Sequence, residues 1–277
     1  MASDAEPWRL AAADLQAIDP TAFVHGSRAT GLAHAGSDVD MATSQSLDAL
    51  LLKVRRAPAE FHVLEHVQRA RVPRLVLRHA ATGTEVDIID RSTDPFSLER
   101  DAVVRNLVSA DPRVRELGMR IGDWARQHKQ AMPPKQGYPN SYTLRLTGFH
   151  FLMVRPKGPL LPPLAGQGPE LSAQLPLRAE GGVAATAEEL FVGWLRHIAA
   201  AARQGLCADL RAPRRRAGRG WCVVDPATGR NLTDFRFSQA AVIASLARQS
   251  LRELQEVERS SSSDSGSGSR SRSPRRL

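Results

Sequence analysis

The stretch that most constrains this chain is residues 23–41, FVHGSRATGLAHAGSDVDM. It reads as a short strand, a turn at Gly26 and Ser27, a short helix, a loop, and a second strand carrying Asp38 and Asp40. Residues two apart on a strand share a face, so both carboxylates project onto one polar surface. Gly26 lets backbone amides come close to an anion, and Ser27 adds a hydroxyl beside them. An anion cradle beside paired acids is the equipment needed to hold a nucleoside triphosphate with its magnesium ions. A bare Asp-x-Asp is more often a solvated strand end. The apolar-x-Gly-Ser segment upstream and the apolar flanks set this one apart.

A third acid is sought further on. Residues 73–91, PRLVLRHAATGTEVDIIDR, read as two strands joined by a turn at Ala80 to Gly83. On the second strand Val86 and Ile88 face one way, and Glu85, Asp87 and Ile89 the other. Asp87 is therefore the candidate third carboxylate, with a charged residue on a sheet edge as the alternative.

The remaining segments are mostly helical by spacing. Residues 7–18 carry Trp8, Leu10, Ala11, Leu15 and Ile18 before Asp19-Pro20 closes the run. Thr43 to about Arg55 places Leu47, Leu50, Leu51 and Val54 on one side. Residues 59–70, AEFHVLEHVQRA, read as a second amphipathic helix. There His62 and His66 lie one turn apart, a spacing that ligates metals, but no third ligand lies nearby and they are read as surface histidines. Ser97 to about His128 is helical, with Asp111-Pro112 as cap and first residue and a stripe of Val114, Leu117, Ile121 and Trp124. Residues 141–153 form a mainly apolar helix with Ser141 as its cap. Residues 155–184 are a Pro- and Gly-rich loop. Thr186 and Glu189 form a capping box for the next helix. Residues 211–219, RAPRRRAGR, are a basic loop that either touches RNA backbone or is merely solvated. Residues 237–257 form the last helix, and the Ser/Arg-rich tail after Arg259 cannot bury a core. Its SRSRSP segment is either a phosphorylated Arg-Ser element that sets localisation or an inert solubilising end.

The net charge of +9 and an isoelectric point near 10.6 favour a polyanionic partner such as RNA. Two cysteines, Cys207 and Cys222, exclude a disulfide framework or a Cys-rich zinc site and suit a reducing compartment. No apolar run is long enough for a membrane span, and the polar N-terminus is no signal peptide. The expectation is a protein of the cytoplasm, the nucleus or both, with no membrane partner.

Several blocks in order resemble the terminal uridylyltransferase and cytoplasmic poly(A) polymerase branch of the DNA polymerase beta-like nucleotidyltransferases. They are GSRATGL…GSDVDM, RVPRLVLRH…TGTEVDI, DPRVREL…WAR, NSY before an apolar helix, LPPL, EELFVGWL and DPATGRN, spread over about residues 21–250. The resemblance implies an α+β fold: a nucleotidyltransferase palm with a mixed sheet and helices, plus a helical central, PAP-associated domain, with the catalytic cleft between them. It divides the chain into an N-terminal helix at 1–19 packing on the central domain, a palm at 20–110, a central domain at 111–257 and a disordered tail at 258–277.

The resemblance further implies template-independent addition of UMP from UTP to RNA 3′ ends. AMP addition from ATP is the alternative within the class, and a catalytically weak RNA-binding or scaffold member is the alternative outside it. Asp38, Asp40 and Asp87 are implied as ligands of two magnesium ions, manganese being the alternative metal, with Asp87 activating the 3′-hydroxyl. Gly26, Ser27, Ser37, Arg126, Ser141, Tyr142 and Asp225 are implied in nucleotide binding, with Ser141 on phosphate and Tyr142 stacking on the base. Gly122 stands where the family has a phosphate-binding lysine, and Arg126, Arg100 and Arg120 are the candidates to replace its charge. Arg100 stands near a ribose-contacting asparagine, Ala227 and Thr228 replace an aromatic and an acid, and Arg230 lies near a uracil-favouring histidine. No separate RNA-binding module is recognisable, so RNA choice is expected to involve an RNA-binding partner protein.

Overall fold

A computed structural model describes residues 6–34, 36–70, 72–165, 185–214, 220–233 and 237–264. In chain order its elements are α1 (Pro7–Ile18), β1 (Phe23–Val24), α2 (Gly26–Thr30), β2 (Val39–Thr43), α3 (Leu47–Arg56), β3 (Phe61–Val67), β4 (Arg74–His79), β5 (Glu85–Asp90), α4 (Ser97–Ala110) and α5 (Pro112–Gln127). The second half adds α6 (Ser141–Val154), α7 (Ala187–Gln204), β6 (Leu206–Ala208), β7 (Trp221–Val223) and α8 (Phe237–Asp264). The first five strands form one mixed sheet in the order β1-β2-β5-β4-β3, in which β2 and β5 run parallel and the other neighbours antiparallel.

Alternation sets which side of this sheet is buried. Val39, Met41, Leu75, Leu77, Val86 and Ile88 point to one face and pack under α3, whose Leu47, Leu50, Leu51 and Val54 supply the facing stripe. The other face is left for polar side chains, Asp40 and Asp87 among them. A larger apolar core lies in the helical half, where Leu117, Ile121 and Trp124 of α5 meet Leu144 and Phe149 of α6 and Trp194 of α7. Trp124 and Trp194 meet edge to face at 5.4 Å, and their indole N–H groups donate to Ser250 and Thr147.

Four expectations are corrected. Residues 59–70 are not a helix: Phe61–Val67 is the edge strand β3, paired with β4. The register shifts between Val63 and Glu65, and that irregularity breaks the two-residue alternation that identifies a strand. The helix α1 packs on the palm, not on the helical half. Its Ala11, Ala12 and Leu15 belong to the sheet core, and buried His79 of β4 bonds Asp14 at 2.8 Å. Conversely α4, counted with the palm up to residue 110, gives Val103, Val104, Leu107 and Val108 to the helical core. The cap of α6 is Asn140, whose Oδ1 accepts from the Thr143 amide at 2.9 Å, and Ser141 is the first helical residue.

At the end of the chain α8 continues to Asp264, past the expected end at 257, while residues 265–277 lie outside the described residues. So do residues 166–184 of the expected long loop and 215–219 of the basic loop. The capping box at Thr186 and Glu189 is present, with both reciprocal bonds made. Among the described residues no helix is long and apolar enough to cross a membrane.

The placement of α1 has a measurable consequence. Leu15 is fully buried in the sheet core, so Leu15→Ala is expected to lower the unfolding free energy by about 2–5 kcal/mol. Urea denaturation followed by circular dichroism reads this directly, and a loss well under about 1 kcal/mol would contradict the packing of α1 on the sheet.

Candidate active site

The parallel pairing of β2 and β5 puts Asp40 opposite Asp87, both on the face turned away from the core. Asp38 lies one residue ahead of β2, at the end of the loop from α2. Burial, then the charge of Asp87, then that of Asp38 push the Asp40 carboxyl up to about 6. Asp87 is also raised, chiefly by burial, although Arg74 opposes the shift. The two strands therefore hold three acids close enough to feel one another.

The Gly26–Ser27 turn is shaped around Asp40. Gly26 has φ +70, and a Cβ there would stand 2.6 Å from Asp40 Oδ2. Glycine is needed on both counts, for the left-handed backbone and for the close approach of the carboxylate. The Ser27 amide donates to the Asp40 carboxylate. The His25 amide donates to the Asp40 carbonyl at 2.9 Å, tying the strand to the start of α2. Beneath the turn, the Gly26 amide donates to Asp101 Oδ2 at 2.8 Å. Asp101 is 6% exposed, and burial pushes its carboxyl up to about 7 in spite of that bond. The loop before Asp38 is held by Arg28 Nη2 donating to Ser37 O at 2.6 Å and by the His34 amide donating to Ser37 Oγ at 3.0 Å.

A cleft of about 470 Å³ opens over these acids. Ser27, Ser37, Asp38 and Asp40 line one side, and Gly122, Arg126, Lys129, Ser141 and Arg145 of the helical half line the other. Of the residues singled out from sequence, Ser27, Ser37, Asp38, Asp40, Arg126 and Ser141 thus meet in one place, with Gly26 and Asp87 against Asp40. Tyr142 and Asp225 sit together in a second cluster. Fully buried Asp225 accepts from Arg100 Nε at 2.8 Å, from Thr228 Oγ1 at 2.9 Å and from the Ala227 amide at 3.1 Å, with the Tyr142 hydroxyl at 3.5 Å. Arg100 also binds Asp94 at 2.6 Å. Burial pulls the Arg100 guanidinium down, but Asp225 and Asp94 more than offset that and hold it above its ordinary range. Burial first, then Asp225, raises the Tyr142 phenol.

Arg100 is held by these two acids, and neither it nor Arg120 lines the cleft, so neither of them replaces the charge missing at Gly122. Arg126 lines the cleft, 57% exposed at its side chain and 3.4 Å from Asp123. Sequence reasoning passed over Asp101, Arg74 and Arg145. The signal for Arg145 was present, as the one charged residue in SYTLRLTGFHFLM.

Among the described residues no group of three or more His, Cys, Asp or Glu side chains closes into a cage able to hold an ion as it stands. Asp87 Oδ2 accepts from Arg74 Nη1 at 3.0 Å. Asp87 Oδ1, by contrast, is buried and accepts no hydrogen bond. Together with the raised Asp40 carboxyl, this marks a desolvated, under-compensated set of hard oxygen donors. Magnesium or manganese suits such donors, so the residues fit the metal.

The fold, a mixed five-stranded sheet beside a helical half, is shared with several solved structures. Among solved structures, a Cid1 poly(U) polymerase variant bound to MgATP superposes with a TM-score of 0.70 at 20% identity, covering 90% of this chain and 89% of that one. Cid1 with the UTP analogue UMPNPP gives 0.69 at 19% identity, covering 91% and 89%. A cytoplasmic RNA terminal U-transferase gives 0.67 at 20% identity, covering 89% and 84%. In sequence, the chain is 27% identical over 143 residues to the Speckle targeted PIP5K1A-regulated poly(A) polymerase of Xenopus tropicalis. That match spans 51% of this chain and 17% of the length of that protein. No family model matches.

Two outcomes follow from the site geometry. Arg74→Ala removes the cation that engages Asp87, so manganese should bind more tightly, by about twofold to fivefold for a partly exposed pair; titration of manganese by electron paramagnetic resonance measures it. The second concerns Asp101. The unfolded carboxyl loses its proton near 3.8, whereas the folded one keeps it to about 7. The folded state thus binds more protons across that window, and stability supplied by the neutral form is lost as pH rises through it. Relative to Asp101→Asn, which does not titrate, the wild-type protein should become progressively less stable between about pH 4 and pH 7; paired denaturation curves read the difference.

Proposed function

We propose that the protein transfers nucleotides to RNA 3′ ends without a template, with UTP as donor and UMP as the residue added. The observation that carries this reading is the register pairing Asp40 with Asp87 beside the Gly26–Ser27 turn, facing a basic wall across one cleft. An acidic wall opposite a basic one suits a metal–triphosphate complex better than a free anion or a free cation. The solved structures that share the fold are of poly(U) polymerase and terminal U-transferase, and one of them holds the short product ApU. The net charge of +9 favours the polyanionic acceptor.

In this reading Gly26 and Ser27 cradle the triphosphate, with the helix α2 behind them. Ser37 holds the loop that positions Asp38. Arg126 and Ser141 meet the phosphates from the helical half, and Tyr142 offers its ring to the base while Asp225 and Arg100 fix it. Asp38, Asp40 and Asp87 would hold two magnesium ions, which supply charge neutralisation to the triphosphate and to the departing pyrophosphate. The RNA 3′-oxygen forms its bond to the α-phosphorus as the bond to pyrophosphate breaks. Asp87, its carboxyl raised by burial, would accept the 3′-hydroxyl proton in this reading. AMP addition is the second reading, favoured by the 143-residue similarity to a poly(A) polymerase.

Purified protein with magnesium and a labelled RNA, offered each nucleotide in turn, is expected to extend the RNA most with UTP. Asp40→Ala is expected to cut the rate by at least about a thousandfold with its circular dichroism unchanged. Preference for ATP would select the second reading, and no extension with any nucleotide would remove both.

A further inference from the structure

The cleft wall contributed by α5 has a gap at Gly122. A Cβ at that position would overlap Arg145 Nη2 and lie 3.2 Å from its Cζ. The gap is filled from the neighbouring helix. Arg145 sits in the apolar helix α6, is 8% exposed, and crosses to α5 with Nε donating to Gly118 O and Nη2 to Leu32 O, both at 3.0 Å. Arg145 also lines the cleft that holds Ser27, Asp38, Asp40 and Ser141.

Among the described residues, no carboxylate is hydrogen-bonded to Arg145. Its partners are neutral carbonyls, which orient the fork but leave its charge uncompensated. The nearest acid in its field is Asp123, and that carboxylate also faces Arg126 at 3.4 Å and His34 at 3.4 Å. Burial, followed by repulsion from Arg126, pulls the Arg145 guanidinium down to about 10, which still leaves it charged at neutral pH. A strut between α5, α6 and the Leu32 loop needs donors but no charge. A buried full cation beside an open cleft is explained if an anion arrives there.

We infer that Arg145 is a phosphate-contacting residue: reaching the cleft through the space left by Gly122, its guanidinium binds the non-bridging oxygens of the polyphosphate of the incoming nucleotide. The planar fork with spare N–H groups matches phosphate geometry. Because the carbonyls of Gly118 and Leu32 fix its plane beforehand, little freedom is lost on binding. Exposed Arg126 and Lys129 add charge from the rim, where water screens it. The inference rests on the nucleotidyltransferase reading for the identity of the ligand, but its test is a binding measurement that needs no catalysis.

Full-length protein is titrated calorimetrically with UTP, inorganic tripolyphosphate, UMP and uridine in magnesium. Arg145→Met is expected to weaken UTP and tripolyphosphate about 10- to 100-fold while changing uridine less than about twofold. Arg145→Lys should fall between, since it keeps charge without the fork. Gly122→Ala, which displaces the guanidinium without removing it, should also weaken tripolyphosphate. Thermal unfolding of each variant checks the fold, and if Arg145→Met does not fold, Arg145→Lys and Gly122→Ala decide. Unchanged affinity for UTP and tripolyphosphate in the folded variants overturns the inference and leaves the nucleotidyltransferase reading standing. Equal loss of UTP, UMP and uridine assigns Arg145 a structural role only and also overturns it. Arg145-dependent tripolyphosphate binding by a protein that extends no RNA supports the inference while removing the reading. A wild-type protein that binds neither UTP nor tripolyphosphate overturns both.

Discussion

Two carboxylates that repel each other, Asp40 and Asp87, are forced side by side by the parallel backbone ladder of β2 and β5. The ladder is held in place by what lies beneath it: Val39, Met41, Val86 and Ile88 are fully buried, and a slip of one residue would turn them out and the acids in. The core therefore stabilises an electrostatically unfavourable surface. The turn at Gly26 lies close against the Asp40 carboxylate, which leaves no room for a side chain there.

The acidic strands and the basic helices are supplied by different hydrophobic clusters, and α4 connects them. Val103, Val104 and Leu107 sink into the helical core, while Asp101 of the same helix holds the Gly26 amide beneath the Gly26–Ser27 turn. One residue earlier Arg100 reaches Asp225, far along the chain, and so ties α4 to the loop after β7 and to Tyr142 on α6. A shift of α4 would therefore be felt at the Gly26–Ser27 turn and at the Tyr142–Asp225 cluster together.

Much of this was legible in the sequence. The strand–turn–helix–strand order of residues 23–41 and the hairpin at 73–91 follow from short-range spacing, and spacing fixed which side of β5 carries Asp87. What spacing cannot convey is the destination of a buried face. The apolar stripe of α1 gave the burial of Ala11 and Leu15, although Leu10 is exposed, but not that the sheet, and not the helical half, would cover Leu15. Asp101 and Arg145 were missed for a related reason. Each is a charge whose partner lies far off in sequence, 75 residues away for the Gly26 amide and 113 for the Leu32 carbonyl. Residues 59–70 failed because an irregular pairing hid the period of the strand.

That irregularity in β3 has a further effect. A five-stranded sheet has two open margins, and each offers backbone groups to any passing strand. On one margin β1 is only two residues long, too short to template an addition. On the other, β3 is seven residues long and carries exposed Val63 and Leu64, an invitation to stack with a second molecule. The register shift between Val63 and Glu65 interrupts that margin, and charged Glu65 beside it disfavours a flat, continuous neighbour. The departure from regularity that made this segment hard to recognise is also the kind of feature that disfavours edge-to-edge strand pairing.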